Sequence, residues 1–113
     1  MLAEHVRDAV KTLQQEGLTP RQAYAVTTAP AAKREGLRKM FEGERIDAFV
    51  RESTRLDGRT AHLKLTPRGK RGPDFIDEET GRWYDITTSP SWQRHVDKYG
   101  RDFGVDAVPI LYR

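Results

Sequence analysis

The chain has 113 residues, 36% of them apolar and 33% charged, with a formal net charge of +3. That length gives one domain with a single core and no room for a second, and the mild basic excess suits an anionic partner. Cysteine is absent, which excludes a disulfide framework, a thiolate metal site and a cysteine nucleophile and fits a cytosolic working place; no apolar run approaches the ~20 residues of a membrane span, and nothing resembles a signal peptide.

Residues 2–15 place Val6, Val10 and Leu13 on one stripe, and Gly17 ends the pattern, so an amphipathic helix is expected. Thr19-Pro20 reads as an N-cap and first helical residue, opening a second helix through Tyr24 and Val26 that stops before Pro30. Few of its basic residues face outward, so packing or docking is expected of this helix pair rather than a DNA-reading helix-turn-helix. From Ala31 the pattern is helical again, with Leu37, Met40 and Phe41 on one stripe and Ile46, Phe49 and Val50 on another. At 100° per residue Ile46 falls opposite Leu37, which predicts a break or kink at Gly43. Beyond it Glu44, Asp47 and Arg51 stand at three- and four-residue spacing. Residues 55–58, Arg-Leu-Asp-Gly, terminate the helix, and residues 62–66, His-Leu-Lys-Leu-Thr, alternate as a strand does.

Pro67-Arg68-Gly69-Lys70-Arg71-Gly72 is a flexible basic loop, and Arg68, Lys70 and Arg71 are candidate phosphate contacts. It leads into a hairpin whose strands are residues 73–77 and 83–88, joined by Glu78-Glu79-Thr80-Gly81 with Gly81 free to take positive φ. Each strand carries an aspartate inside an aromatic and β-branched run. With the turn centred between Glu79 and Thr80, Asp74 lies directly opposite Asp85 on one side of the sheet, their Cβ atoms about 4.5–5.5 Å apart. Two ionised carboxylates at ~5 Å repel by roughly 3 kcal/mol at an effective dielectric of 20, a large share of a domain's ~5–15 kcal/mol net stability. Either one is protonated or a divalent cation lies between them.

Ser89-Pro90 then caps a helix to Tyr99, with Trp92, Val96 and Tyr99 on its buried stripe and His95 and Lys98 along the flank. Gly100 and Gly104 break the chain, and residues 105–112 form a last strand whose Pro109 calls for an edge or a bulge. The order of elements predicts an α/β (α+β) sandwich with a small mixed sheet flanked by helices.

This arrangement resembles the restriction-endonuclease-like nucleases, whose signature is PD followed, one strand later, by (D/E)-x-K. Pro73-Asp74 supplies the PD, and Asp85-Ile86-Thr87 stands where (D/E)-x-K would. The run from Gly72 to Thr88, with Trp92, His95 and Tyr99 following, is similar to nuclease toxin domains at the C-termini of Rhs and other polymorphic toxins. Gly43-Glu44-Arg45-Ile46-Asp47 matches their G-x-R-I-D-like segment. The likeness covers residues 43–112 and implies a nuclease-like core over 43–113 with an N-terminal helical extension over 1–42. It further implies an Mg²⁺- or Mn²⁺-dependent endonuclease cutting DNA or RNA, delivered as an effector into the cytoplasm of a target cell and held in check by a cognate immunity protein, with no membrane partner. Asp74 and Asp85 would hold the metal with the Ile86 carbonyl, and Asp47 would complete or position the site, Glu44 in reserve. Thr87 stands in place of the motif lysine, so Lys98, Lys70 or Lys64 would have to reach in, or the metal would work alone.

Two other readings stay open. One is a metal-independent ribonuclease using His62 or His95 with arginines as acid, base and phosphate clamp. The other is a non-catalytic basic module binding nucleic acid or protein, its aspartates structural.

Overall fold

A computed structural model describes residues 2–67, 70–104 and 106–112. Four helices, α1 (Leu2–Glu16), α2 (Pro20–Thr28), α3 (Ala31–Arg55) and α4 (Ser89–Phe103), accompany a small mixed sheet of β1 (Leu63–Leu65), β2 (Phe75–Asp77), β3 (Trp83–Thr87) and β4 (Ala107–Leu111). The strands lie in sequence order, antiparallel from β1 to β3 and parallel from β3 to β4, with α4 as the crossover. The expected fold class, a small mixed sheet flanked by helices, is the one observed.

Alternation along β3 divides the molecule. Tyr84 and Ile86 pack against a core built from Leu2, Val6 and Ala9 of α1, Ile46 and Val50 of α3, Leu63 and Phe75 of the sheet, and Ile110 of β4. Trp83, Asp85 and Thr87 are the buried alternate positions on the other side. There Trp83 meets Trp92 and Tyr99 of α4 at ring centroid distances of 5.7 and 5.9 Å and donates its indole N–H to the Gly104 carbonyl at 2.9 Å. α1 therefore belongs to the same core as the sheet. α2 buries no residue, and its N-terminus is held by a capping box between Thr19 and Gln22.

Two expected breaks are absent. α3 runs unbroken through Gly43 and α4 through Gly100. A mid-helix glycine costs only about 1 kcal/mol relative to alanine, which packing overrides. The two stripes of α3 have different surroundings: Ile46 and Val50 are in the core, while Met40 stays half-exposed. What Gly43 provides is proximity, since a Cβ there would lie 3.1 Å from the Tyr112 hydroxyl. α4 ends instead at Gly104, whose N–H donates to the Gly100 carbonyl.

The hairpin has the expected register. Phe75 pairs with Tyr84 and Ile76 with Trp83, and Gly81 takes φ of 76° as the Asp77–Arg82 pair closes the turn. β4 is an edge strand, as Pro109 requires. Tyr112 N–H bonds to Thr87 C=O and Trp83 N–H to Asp106 C=O, so alternation turns the backbone nitrogen of residue 109 away from β3.

Candidate active site

The β2–β3 backbone ladder stops at Phe75–Tyr84, and two carboxylates take over where it stops. Asp74 N–H donates to Asp85 Oδ1 at 3.0 Å, and Ile86 N–H donates to Asp74 Oδ2 at 2.8 Å. Each acid thus accepts a backbone amide from the neighbouring segment. This reciprocal brace explains why β2 begins at Phe75 and not at Pro73. It also holds two acids side by side, Asp85 being 3% exposed. Burial, then the charge of Asp85, pushes the Asp74 carboxyl up to about 8, against the lowering pull of the Ile86 amide.

Asp47 approaches from α3. Arg51, one helical turn on, donates its Nε–H to Asp47 Oδ2 at 2.8 Å and an Nη1–H to the Thr66 carbonyl at 2.8 Å, and its Nη2 lies 3.7 Å from Asp74 Oδ1. One guanidinium thereby ties α3, the residue after β1 and the acid pair together. From the other side His95 of α4 bonds Asp85 Oδ2 through Nδ1. An ionised carboxylate only accepts, so Nδ1 carries the proton, and Nε2 is left facing the Thr87 hydroxyl at 3.3 Å. Asp47, Asp74, Asp85, Thr87 and His95 line one pocket of about 270 Å³.

The other expected site residues are placed differently. Glu44 is exposed on α3, outside that lining, and Arg45 spends its charge on Glu16 at 3.2 Å and on the face of Phe49 at 4.4 Å. Within the segment 43–47, only Gly43 and Asp47 line the pocket. Arg71 turns to α4, where it bonds Asp102 at 2.7 Å and the Lys98 carbonyl at 2.9 Å. Lys70 lines a neighbouring hollow with Asp47 and Asp74. Arg68 lies outside the described residues. Lys64 faces Glu78 at 3.5 Å, and Lys98 lies over the Tyr99 ring at 5.1 Å; neither lines the pocket. His62 is an exposed residue of the turn before β1, also outside the lining. Arg51 is a cation that does lie beside the acid pair. Its helical spacing to Asp47 was visible in the sequence, but its reach to Thr66 and Asp74 depends on tertiary packing.

Oxygen donors dominate the pocket, which suits a hard cation such as Mg²⁺. Among the described residues no three acidic or imidazole side chains converge as a ready metal cage. Magnesium seldom needs one, since it keeps several waters and takes one or two carboxylates. Asp74 and Asp85 fit that requirement: each carboxylate oxygen has a second lone pair, and a dication would offset the burial, and then the repulsion from Asp85, that hold Asp74 protonated.

No protein-family model matches the sequence, and searches of curated proteins and of solved structures find no match.

Proposed function

We propose that this domain is a divalent-cation-dependent endonuclease, hydrolysing phosphodiester bonds in DNA or RNA, with Asp74 and Asp85 as the residues that would hold Mg²⁺ or Mn²⁺. The observation that carries the reading is the acid pair braced face to face, with the Asp74 carboxyl displaced to about 8. The resemblance of the PD and D-x-T segments to polymorphic-toxin nucleases extends it to a delivered toxin, neutralised by an immunity protein.

When bound, such a cation lowers the pKa of a coordinated water and neutralises charge building on the phosphate. The chain supplies the rest. Asp85 fixes the tautomer and orientation of His95, so that Nε2 can exchange a proton with the attacking water or the leaving oxygen. Thr87, at the motif lysine position, holds that nitrogen in its resting place and brings no charge. Arg51 replaces the missing positive charge, positioning Asp47 and Asp74 from the flank.

The test is cleavage of plasmid and of tRNA by the purified chain. Activity should require Mg²⁺ or Mn²⁺, stop with EDTA and fall at least about a hundredfold in Asp85→Ala. Undiminished activity in EDTA would refute it. The Asp85–His95–Thr87 chain favours a second reading, a metal-independent ribonuclease with His95 as acid or base. That scheme requires activity in EDTA with a bell-shaped pH profile, lost in His95→Ala.

A further inference from the structure

The pocket holding the acid pair has a neighbouring hollow on each of two sides. On one side it shares Asp47, Asp74 and Tyr99 with a hollow of about 280 Å³ whose wall carries Arg51 and Lys70. On the other it shares Thr88, Ser91 and Tyr112 with a hollow of about 470 Å³ walled by Lys39, Met40 and Arg94. Along this line Lys39 and Arg94 stand on one side of the carboxylates and Lys70 on the other, Arg51 being already paired to Asp47 and Asp74. No acidic side chain among the described residues lines the Lys39–Arg94 hollow. Both of its cations are exposed: Lys39 reaches Glu35 only at 3.9 Å, and Arg94 donates to the neutral Ser91 hydroxyl at 3.1 Å. Met40, 50% exposed, offers a polarisable apolar surface beside them.

We propose that this trench binds one single-stranded polynucleotide along its length, with the Lys39–Arg94 hollow seating the nucleotide on one side of the scissile phosphate and the Arg51–Lys70 hollow the nucleotide on the other. The inference rests on the phosphodiesterase reading and adds to it the substrate's path and form. Phosphates want cations beside a central acidic site, and Lys39 and Arg94 on one side and Lys70 on the other provide them. Each hollow is of a size to seat one nucleotide, and an unpaired strand can lay its bases and phosphates into both in turn. A strand lying across both hollows passes the acid pair at an internal phosphate, so circular single strands are expected substrates.

Binding is measured by fluorescence anisotropy with labelled single-stranded DNA and RNA about fifteen nucleotides long, in EDTA, so that no turnover is needed. Lys39→Ala/Arg94→Ala should weaken binding about tenfold and reduce the slope of log affinity against log salt by about 1.4. Arg21→Ala/Lys33→Ala, an equal loss of charge on α2 and the start of α3, should change neither. The inference is overturned if wild type does not bind, if both double variants lose equally, if neither loses, if duplex competes as well as single strand, or if cleavage trims only linear ends. Cleavage with no effect of Lys39 and Arg94 removes the path and leaves the nuclease reading standing. Strand binding that depends on them, with no hydrolysis under any metal, removes the nuclease reading and leaves the path.

Discussion

Asp74 has the most perturbed environment in the pocket. Its folded pKa, about 8, lies above the ordinary carboxylate value near 3.9, so the folded state binds the proton more tightly than the unfolded one. The stability this confers is complete below the unfolded value and is lost as pH rises through the folded one, at up to about 1.4 kcal/mol per pH unit. Asp74→Asn should therefore melt at a temperature that falls less from pH 5 to pH 8 than wild type, and should be the more stable protein at pH 8. Parallel pH dependence in the two would place the proton elsewhere. Divalent cation should raise the wild-type melting temperature more at pH 8 than at pH 5, and should do little for Asp74→Asn. Facing aspartates were legible in the sequence because the alternation of Phe75, Ile76, Trp83 and Tyr84 and the turn at Gly81 set the register. The grips of Arg51 and His95 were not legible. Arg51 reaches Asp74 across 23 residues and His95 reaches Asp85 across ten, both through packing that no local pattern encodes.

At the scale of elements, α3 is the instructive case. Gly43 was expected to interrupt the helix, because glycine inside a shifting apolar stripe is a common sign of a break. The helix continues because residues 44–50 carry Asp47, Ile46 and Val50 into the site and core together, and Gly43 is needed for the approach of Tyr112. The consequence is non-additive. Gly43→Ala alone should gain little stability, since propensity worth about 1 kcal/mol is offset by displacing the Tyr112 hydroxyl. In a Tyr112→Phe background the same change should gain close to the full amount. Equal increments in the two backgrounds, by urea titration, would mean that hydroxyl does not constrain the helix. The hairpin, the capped α2 and the helix opening at Ser89-Pro90 were legible, because turn chemistry and a first-turn proline are local, although the cap position falls on Thr88, without a side-chain capping bond, and not on Ser89.

For the molecule as a whole, the decisive contact is between α1 and the core. Val6, Ala9, Ile46 and Val50 share one cluster, and His5 closes on Asp57 at 2.8 Å beside the end of α3. Ile46→Ala should cost about 3 kcal/mol. Deletion of residues 1–16 should abolish cooperative unfolding, whereas a truncated chain that still melts sharply would make α1 dispensable. The sequence marked α1 as amphipathic but not that it shares a hydrophobic cluster with α3 and the sheet, since an amphipathic stripe does not name its partner. The margin of the sheet carries a different consequence. Pro109 sits on β4 with its backbone nitrogen turned outward, where any other residue would offer an amide to a passing strand. That border is thereby blunted against self-assembly, and Pro109→Val, harmless to the internal ladder, should raise the tendency of concentrated protein to associate edge to edge.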